Sequence, residues 1–466
     1  MSTSDVAPRL QRWVCVLVVV GVWAAIYLPG LGTLEIKGEE GRRILPAVTM
    51  LRTGDYLSPQ IGSAAYLRKP PLINWLVAAS IKLTGRQNEW SARFPSALSV
   101  LAVALVFVTI ARGTLGAAGA LSAALIWLTS FGLIEKGRLI EIEALYASLT
   151  GLAFICWLSW WQERRSPWLT WTVPWIFLGL GLLAKGPVHL IFFYAVVFAI
   201  LWKGRQGREL LRPSHWVGVI FMLGIFAAWA VPYLMSLQAG HVTHMWSRQF
   251  SGRLSGEDFH FRGWIQNIPR GLGYFLPWTL LVPVFWRKQR PATDVVVGLA
   301  CGIAVPFVVV SLLPGALSRY NMPLLAPSAW LMAMLLGGEL RWPRLITALT
   351  CVVMIGYGFA VTPFLGRREK VRNIAARINQ AIPPNETLYA VDPDYQPWLF
   401  YVREPLVYLP ELTDVPADAR DILVQGQDED AVRESRQWWP RRARIVLRVQ
   451  DYRKRSATLL RIEGDR

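Results

Sequence analysis

The stretch WVCVLVVVGVWAAIYL at residues 13–28 contains no charged residue, and similar apolar runs recur along the chain to residue 365 or so. Many of them approach the ~20 residues that a helix needs to cross the ~30 Å hydrocarbon core of a bilayer. Because no water satisfies backbone hydrogen bonds in lipid, such segments must be helical. The pattern therefore predicts a polytopic α-helical membrane protein.

The bulk composition points the same way. Of 466 residues, 53% are hydrophobic and 23 are Trp, whereas soluble domains are nearer ~45–50% apolar. The net charge is +18, and the basic residues alternate with apolar runs along the chain. This distribution indicates membrane topology and not a single basic surface for nucleic acid. The four cysteines lie far apart in apolar segments, at Cys15, Cys156, Cys301 and Cys351. Their spacing matches neither a disulfide framework nor a zinc site.

The apolar periodicity predicts about 11 spanning helices. They are placed at residues 12–28, 94–111, 115–134, 143–161, 168–184, 187–202, 216–237, 272–286, 294–313, 320–338 and 344–364. The first is interpreted as an uncleaved helix and not a signal peptide, since no convincing cleavage site follows it. With the N-terminus inside, alternate short loops are all basic, as cytoplasmic loops usually are. The same threading places the long loops 29–93 and 238–271 and the tail outside.

The first outer loop is predicted to contain two interfacial helices. Residues 38–51 carry apolar side chains at helical spacing behind a charged start, which is typical of an amphipathic helix at a membrane surface. Residues 70–83 are apolar but too short to span, and they begin with two prolines.

After residue 365 the composition becomes mixed and charged. We predict a transmembrane domain over 1–365 and a small extracytoplasmic α/β domain over 366–466. Helices are expected at 367–381 and 428–438, with strands at 387–392, 399–402, 405–409, 421–425, 443–449 and 457–462.

Charged residues are concentrated in the first outer loop. They are Glu35, Lys37, Glu39, Glu40, Arg42, Arg43 and Asp55, followed by Tyr66, Leu67, Arg68 and Lys69. Carboxylates beside cations supply a base and a phosphate-binding group together. The competing interpretation is a loop whose charges simply face water.

A second cluster lies at the predicted outer ends of the third, fourth and fifth spans. It contains Glu135, Lys136, Arg138, Glu141, Glu143 and Lys185. Ionisable residues near a membrane indicate function; mutual pairing and, for Lys185, snorkelling are the competing explanations. Arg319 and Tyr320, at the mouth of another span, suit phosphate or sugar contacts.

The second outer loop holds His241, His244 and His260. The close spacing of His241 and His244 suits a metal, but without a clear third ligand we favour ordinary interfacial polarity.

The ordered series EEGR (39–42), GDY (54–56), YLRKPPL (66–72) and NEWSARFPSAL (88–98) resembles the aminoarabinose transferase and protein mannosyltransferase-like proteins. Segments 138–145, 185–187, 276–278 and 320–327 extend the resemblance over residues 30–330. It implies a GT-C membrane glycosyltransferase that uses a polyprenyl-phosphate sugar and inverts the anomeric carbon.

The resemblance also implies roles for individual residues. Glu39 occupies the position of the leading active-site carboxylate, Arg42 and Lys69 the positions that contact the carrier phosphate, and Glu143 a second acidic position. Both acidic positions usually carry Asp. Arg68 replaces a metal-binding carboxylate, so we expect no cofactor; a divalent metal is left open but unsupported.

Together these considerations give the following assignment. Catalytic residues are Glu39, Glu40 and Glu143; donor-phosphate ligands are Arg42, Lys69, Arg138, Lys185 and Arg319; the substrate pocket contains Tyr66, Asp55, His260 and Tyr320. The acceptor is a lipid, glycan or protein, and nucleic acid is not a partner. The expected location is the bacterial inner membrane, with the chemistry on its periplasmic side. The competing hypotheses are a catalytically silent protein that binds lipid-linked sugar, and a transporter or flippase.

Overall fold

The apolar runs form helices, as backbone in lipid must. The computed structural model describes residues 3–66, 69–236, 259, 261–288, 293–393, 396–403, 405–435, 442–451 and 454–463. Its helices are α1 (Thr3–Tyr27), α2 (Gly41–Thr53), α3 (Leu72–Thr84), α4 (Glu89–Thr109), α5 (Arg112–Thr129), α6 (Phe131–Lys136), α7 (Ile142–Gln162), α8 (Pro167–Lys185), α9 (Val188–Lys203), α10 (Pro213–Ser236), α11 (Phe261–Ile265), α12 (Asn267–Gly273), α13 (Val282–Lys288), α14 (Asp294–Leu312), α15 (Leu325–Leu336), α16 (Arg341–Gly356), α17 (Thr362–Gly366), α18 (Val371–Ala381) and α19 (Glu429–Glu434). Short 3₁₀ segments include Gly38–Glu40, Ser318–Leu324 and Pro397–Tyr401.

The protein is a multi-pass membrane protein. Within the described ranges, 6 helical segments are long and apolar enough to cross a bilayer: α4, α7, α8, α10, α14 and the segment Arg341–Gly366. Residues Gln11–Tyr27 and α9 are shorter apolar helices. The total of about 11 spans remains a prediction.

The prediction of one helix over 272–286 is wrong. The structure has α12, a turn at Trp278–Leu280 and α13 instead. Pro277 has no N–H and disfavours helical backbone at the preceding residue. The carbonyls of Tyr274 and Leu276 accept hydrogen bonds from Gly132 and Phe131 at the start of α6. They thereby satisfy N–H groups that a helix start leaves without intrahelical partners.

The predicted span 115–134 is likewise divided. Ser130 has extended backbone, with ψ of 125°, between α5 and α6. The predicted span 320–338 begins as the 3₁₀ segment Ser318–Leu324 before α15.

Close helix packing in the membrane part depends on small residues. A Cβ at Gly298 or Gly302 of α14 would lie 2.8 Å from Ile200 Cα and 2.6 Å from Val196 Cα of α9. Two glycines four residues apart therefore let the backbones meet directly, as small residues do at many membrane helix interfaces.

The contacts group the chain into two compact units. The first contains residues 1–31, 67–73 and 93–359; the second contains residues 32–66, 74–92 and 360–466. The compositional change near residue 365 lies close to the break at 360. The grouping of most of the first loop with the C-terminal residues differs from the predicted division.

The second unit contains a five-stranded mixed sheet. Its order is β4 (Leu406–Leu409), β3 (Leu388–Val391), β5 (Asp421–Gln425), β7 (Ser456–Glu463) and β6 (Arg442–Gln450). β3 is parallel to β4 and β5, while β7 is antiparallel to β5 and β6. Most predicted strands are confirmed, but residues 399–402 belong to the 3₁₀ segment Pro397–Tyr401 and its end. A small hairpin, β1 (Gln60–Ile61) with β2 (Ala64–Ala65), lies in the first loop.

Both predicted helices of the first loop are present as α2 and α3. Within α2, Ile44, Leu45 and Met50 are buried in the protein, whereas Val48 and Leu51 are partly exposed. Helix α2 packs against β1 and the segment Pro397–Tyr401 within the second unit.

Candidate active site

A buried ionic cluster in the first unit joins three separate elements. Glu143 lies in the first turn of α7, Lys185 is the last residue of α8, and Arg319 lies in the segment Ser318–Leu324. Glu143 Oε1 is 3.1 Å from Lys185 Nζ and 3.1 Å from Arg319 Nε. The structure thus brings together three residues that were predicted from different parts of the sequence.

Burial strengthens the electrostatic interactions between these charges. The side chains of Glu143 and Lys185 are 10% and 11% exposed, and that of Arg319 is 32% exposed. Two cations share one carboxylate, so the trio has a formal charge of +1, while the adjoining Glu135, Lys136 and Glu141 have a formal charge of −1. Removal from water strengthens charge interactions, and Arg319 is the most exposed charge of the trio.

Aromatic rings hold the lysine in place. Lys185 Nζ lies 4.8 Å from the ring centroid of Tyr320 and 5.5 Å from that of Tyr146. The hydroxyl of Tyr146 donates to the carbonyl of Gly186 at 2.9 Å and accepts from the backbone N–H of His189. Gly186 has φ of +96°, a conformation that favours glycine, so this sharp turn directs the end of α8 toward the cluster.

A second set of charges adjoins Glu143 along the chain. Lys136 Nζ lies 2.9 Å from Glu135 Oε1 and 3.0 Å from Glu141 Oε2. Burial raises the pKa of Glu141; Lys136 opposes that rise and Glu143 adds to it. Burial alone would lower the pKa of Lys136, but the two carboxylates hold it above its ordinary value. Lys136 therefore stays cationic and neutralises the acidic end of α7.

The first-loop residues are described within the second unit. Glu39 forms an ion pair with Arg42, in which Oε2 lies 3.1 Å from Nη1. The side chains of Arg42 and Glu39 are 26% and 31% exposed. The pair spans the junction of Gly38–Glu40 with α2, so residues three apart face each other. Glu40 is buried, which suits an interior role better than direct attack on a substrate.

Tyr66 and Asp55 have structural contacts. The hydroxyl of Tyr66 accepts a hydrogen bond from Arg43 Nη1 at 2.7 Å, and both residues are buried. Asp55 Oδ1 accepts from the N–H groups of Leu57 and Ser58, a local turn that Asp commonly forms. Asn74 donates to the carbonyl of Arg43 and fixes it further.

Arg138 differs most from its predicted role. Arg138 is buried, and its guanidinium donates to the carbonyls of Ile26 and Pro29. These two residues lie on either side of Tyr27, where α1 ends. The guanidinium also lies 5.7 Å from the ring of Tyr357. Arg138 thus supports the end of a helix, and we leave it out of the proposed phosphate site.

Lys69 is partly exposed. His260, like His241, His244 and Arg68, lies outside the described residues. Among the described residues, no group of three or more His, Cys, Asp or Glu side chains has the geometry to hold a metal ion.

Sequence reasoning missed Tyr146 and His189, which brace the end of α8. A signal was present: Tyr146 follows Glu143 by three residues on α7, and His189 follows the Lys-Gly-Pro turn. In both cases the residue lies about one helical turn from a predicted site residue.

Comparison with known proteins extends these observations. The family model for dolichyl-phosphate-mannose-protein mannosyltransferase matches residues 68–231. An undecaprenyl phosphate-alpha-4-amino-4-deoxy-L-arabinose arabinosyl transferase of Pseudomonas aeruginosa is 30% identical over 347 residues, which is 72% of this chain and 61% of the relative. A second transferase of that name, from Pseudomonas fluorescens, is 28% identical over 352 residues, covering 71% of this chain and 57% of the relative. The chain thus spans about three-fifths of the length of these relatives.

A solved structure gives a longer match. The crystal structure of ArnT from Cupriavidus metallidurans bound to undecaprenyl phosphate superimposes with a TM-score of 0.71, at 19% identity and over 98% of both chains. Its apo form gives 0.69 at 18% identity, over 97% of this chain and 98% of that one. These matches confirm the resemblance seen in the sequence motifs, and the fold is the GT-C fold with a C-terminal sheet domain.

Proposed function

We propose that this chain is an inverting membrane glycosyltransferase that moves a sugar from a polyprenyl-phosphate donor to a lipid, glycan or protein acceptor. The observation that carries this proposal is the buried cluster in which Glu143 is shared by Lys185 and Arg319. Two cations that converge on one carboxylate, one of them partly exposed, suit the binding of a phosphate monoester leaving group in a low-dielectric site. The similarity to arabinosyl transferases supports the same class of donor.

The reaction requires one displacement. The acceptor oxygen attacks the anomeric carbon opposite the phosphate, the carbon–oxygen bond to phosphate breaks, and the phosphate oxygen keeps the electron pair. We assign Glu39 to remove the acceptor proton or to orient the acceptor, with Glu40 and Glu143 shaping the sugar and acceptor sites. Lys185 and Arg319 stabilise the departing phosphate.

Arg42 and Lys69 are proposed as further phosphate ligands. In the structure Arg42 pairs with Glu39. A partly exposed pair of this kind is worth only about 0–1 kcal/mol, so we propose that a phosphate competes with Glu39 for Arg42. That exchange would separate Glu39 from Arg42.

We propose that catalysis uses no metal or other cofactor, and that the site opens to the periplasmic side of a bacterial inner membrane. Transfer by the purified protein is then expected to persist in EDTA. Loss of transfer in EDTA, restored by one divalent cation, would contradict this part of the proposal.

The decisive experiment is transfer from a labelled polyprenyl-phosphate sugar. Undecaprenyl phosphate-alpha-4-amino-4-deoxy-L-arabinose is the first donor to test, because the relatives are named for it. Lys185→Ala is expected to reduce kcat by about 10²–10³, the usual loss for one donor to a developing oxyanion. Lys203→Ala is the matched control, since Lys203 also ends an apolar helix but is exposed. Equal activity in both variants would remove Lys185 from the site.

The silent-binder hypothesis follows from Glu at two positions where the resembled proteins usually carry Asp. An added methylene shifts a carboxylate by about an ångström, enough to lower a rate strongly. Saturable binding of undecaprenyl phosphate without transfer from any donor would favour this hypothesis over the enzyme.

A further inference from the structure

Glu35 makes an unusual set of contacts within the second unit. Its carboxylate, in a side chain that is 8% exposed, accepts from the backbone N–H groups of Val371 at 2.8 Å and Arg372 at 3.1 Å. It also accepts from that of Lys370 at 3.3 Å. These N–H groups open the 11-residue helix α18 and have no partners inside the helix. A carboxylate from elsewhere in the chain thus caps this helix, where negative charge is favourable.

The backbone of the same segment is fixed as well. The N–H of Glu35 donates to Glu369 Oε1 at 3.1 Å, and the N–H of Ile36 donates to the hydroxyl of Tyr401 at 2.6 Å. Glu35 and Ile36 are therefore both held through their backbone N–H groups, and Glu35 is also held through its side chain.

A set of further ionic contacts supports this attachment. The hydroxyl of Tyr401 donates to Glu89 Oε1 at 2.8 Å, while Arg372 pairs with both Glu89 and Glu369. The contacts join the first loop, the start of α4 and the start of α18.

We infer that Glu35 is a positioning residue for Glu39. Only Ile36, Lys37 and Gly38 separate the fixed residue from the predicted base, and Gly38 turns the chain with φ of +58°. A displacement of residues 35–36 must pass along this short segment to Glu39 and Arg42. The inference rests on the proposed function, in which Glu39 acts on the acceptor, and it assigns the C-terminal residues the task of setting the position of that carboxylate.

Helix α18 has other support. Val371, Ile374, Ala375 and Ile378 form its buried face, so loss of one cap is not expected to unfold the sheet domain. The effect of removing Glu35 should therefore appear first in the loop.

The test combines limited proteolysis with kinetics on the full chain in detergent. Lys37 is exposed and follows the fixed residues, so trypsin cleavage after Lys37 reports on loop order. We expect Glu35→Ala to speed this cleavage and lower kcat, each by about tenfold, the consequence of losing about 1.4 kcal/mol. Tyr401→Phe should change both quantities in the same direction, and Glu35→Gln, which keeps one acceptor oxygen, should fall between.

Asp421→Asn is the matched control. Asp421 is also a buried carboxylate of the second unit, but it pairs with Arg461 in the sheet at 2.8 Å. We expect it to lower thermal stability without changing cleavage after Lys37 or kcat of the folded fraction.

The outcomes are distinguishable. Wild-type cleavage after Lys37 in Glu35→Ala would overturn the attachment, whether or not the protein transfers sugar. Faster cleavage with unchanged kcat would overturn the positioning role. A wild-type protein inactive with every donor would defeat the proposed function instead, while the proteolysis would still test the attachment.

Discussion

At the scale of single residues, the ends of helices carry the candidate chemistry. Glu143 begins α7, Lys185 ends α8, and Arg319 precedes α15. The sequence indicates each of these positions, because charges cluster where apolar runs stop. Their sharing of one carboxylate is a tertiary fact that spacing cannot predict. Spacing likewise cannot predict that Arg138, assigned from the sequence to the phosphate ligands, donates to two carbonyls over 100 residues earlier in the chain.

Glu39 offers a direct residue-scale prediction. Glu39→Gln keeps the shape but removes the base, so transfer should fall by about 10²–10⁴. Glu39→Asp restores the residue type usual in the resembled proteins and should retain measurable transfer. Rates for both variants, at matched binding of undecaprenyl phosphate, check this. Wild-type transfer by Glu39→Gln would exclude a proton-accepting role.

Arg138 is expected to affect stability and not donor binding. Arg138→Ala leaves the buried carbonyl of Ile26 and the partly buried carbonyl of Pro29 without this donor, which should cost about 1–3 kcal/mol. A lower thermal midpoint with an unchanged KM for the donor is the expected result. A raised KM in a protein of normal stability would return Arg138 to the phosphate site.

At the scale of elements, periodicity predicts most helices and strands correctly and fails where local chemistry overrides it. Residues 272–286 are apolar enough for a span, yet Pro277 and the hydrogen bonds from α6 divide them. The amphipathic pattern of α2 predicts a helix at a membrane surface, but hydropathy does not distinguish lipid from protein interior, and Ile44, Leu45 and Met50 are buried in the protein. Residues 399–402 have strand composition but form part of a 3₁₀ segment, whose Tyr401 carries the contacts to Glu89 and Ile36.

The close contact of α9 with Gly298 and Gly302 of α14, here called the glycine seam, leads to a prediction at the scale of elements. Gly302→Val would place Cβ 2.6 Å from Val196 Cα, closer than two non-bonded carbon atoms can approach without overlap, so the helices must separate. We expect a loss of stability of about 1–3 kcal/mol from overpacking. Gly224→Val on α10 is the control, because a Cβ there has nothing within 4 Å. Thermal denaturation in detergent should distinguish the two, and equal midpoints would show that the seam tolerates a side chain.

At the scale of the whole molecule, composition and loop charge suffice to predict a polytopic membrane protein with a C-terminal α/β domain. They do not reveal that residues 32–66 and 74–92 group with residues 360–466. The long-range bonds within this unit are single contacts that leave no periodic pattern in the sequence. They join Glu35 and Glu89 to Glu369, Arg372 and Tyr401.

The predicted orientation is testable on the intact chain. With other cysteines replaced, a cysteine at Lys203 should be protected from a membrane-impermeant maleimide in whole cells, while one at Lys37 should react. The basis is the positive-inside distribution of Lys and Arg. The reverse labelling pattern would invert the topology.

The bonds of Glu35 also set an order of events during synthesis. They join residues separated by 334 to 337 positions, so the first loop leaves the ribosome long before its partners exist. At about 5–20 residues per second, the delay is on the order of tens of seconds. Until α18 is made, Glu35 and the residues that follow it toward Glu39 cannot form these bonds. The segment that carries the predicted base is therefore translated early and completes its structure among the last parts of the protein.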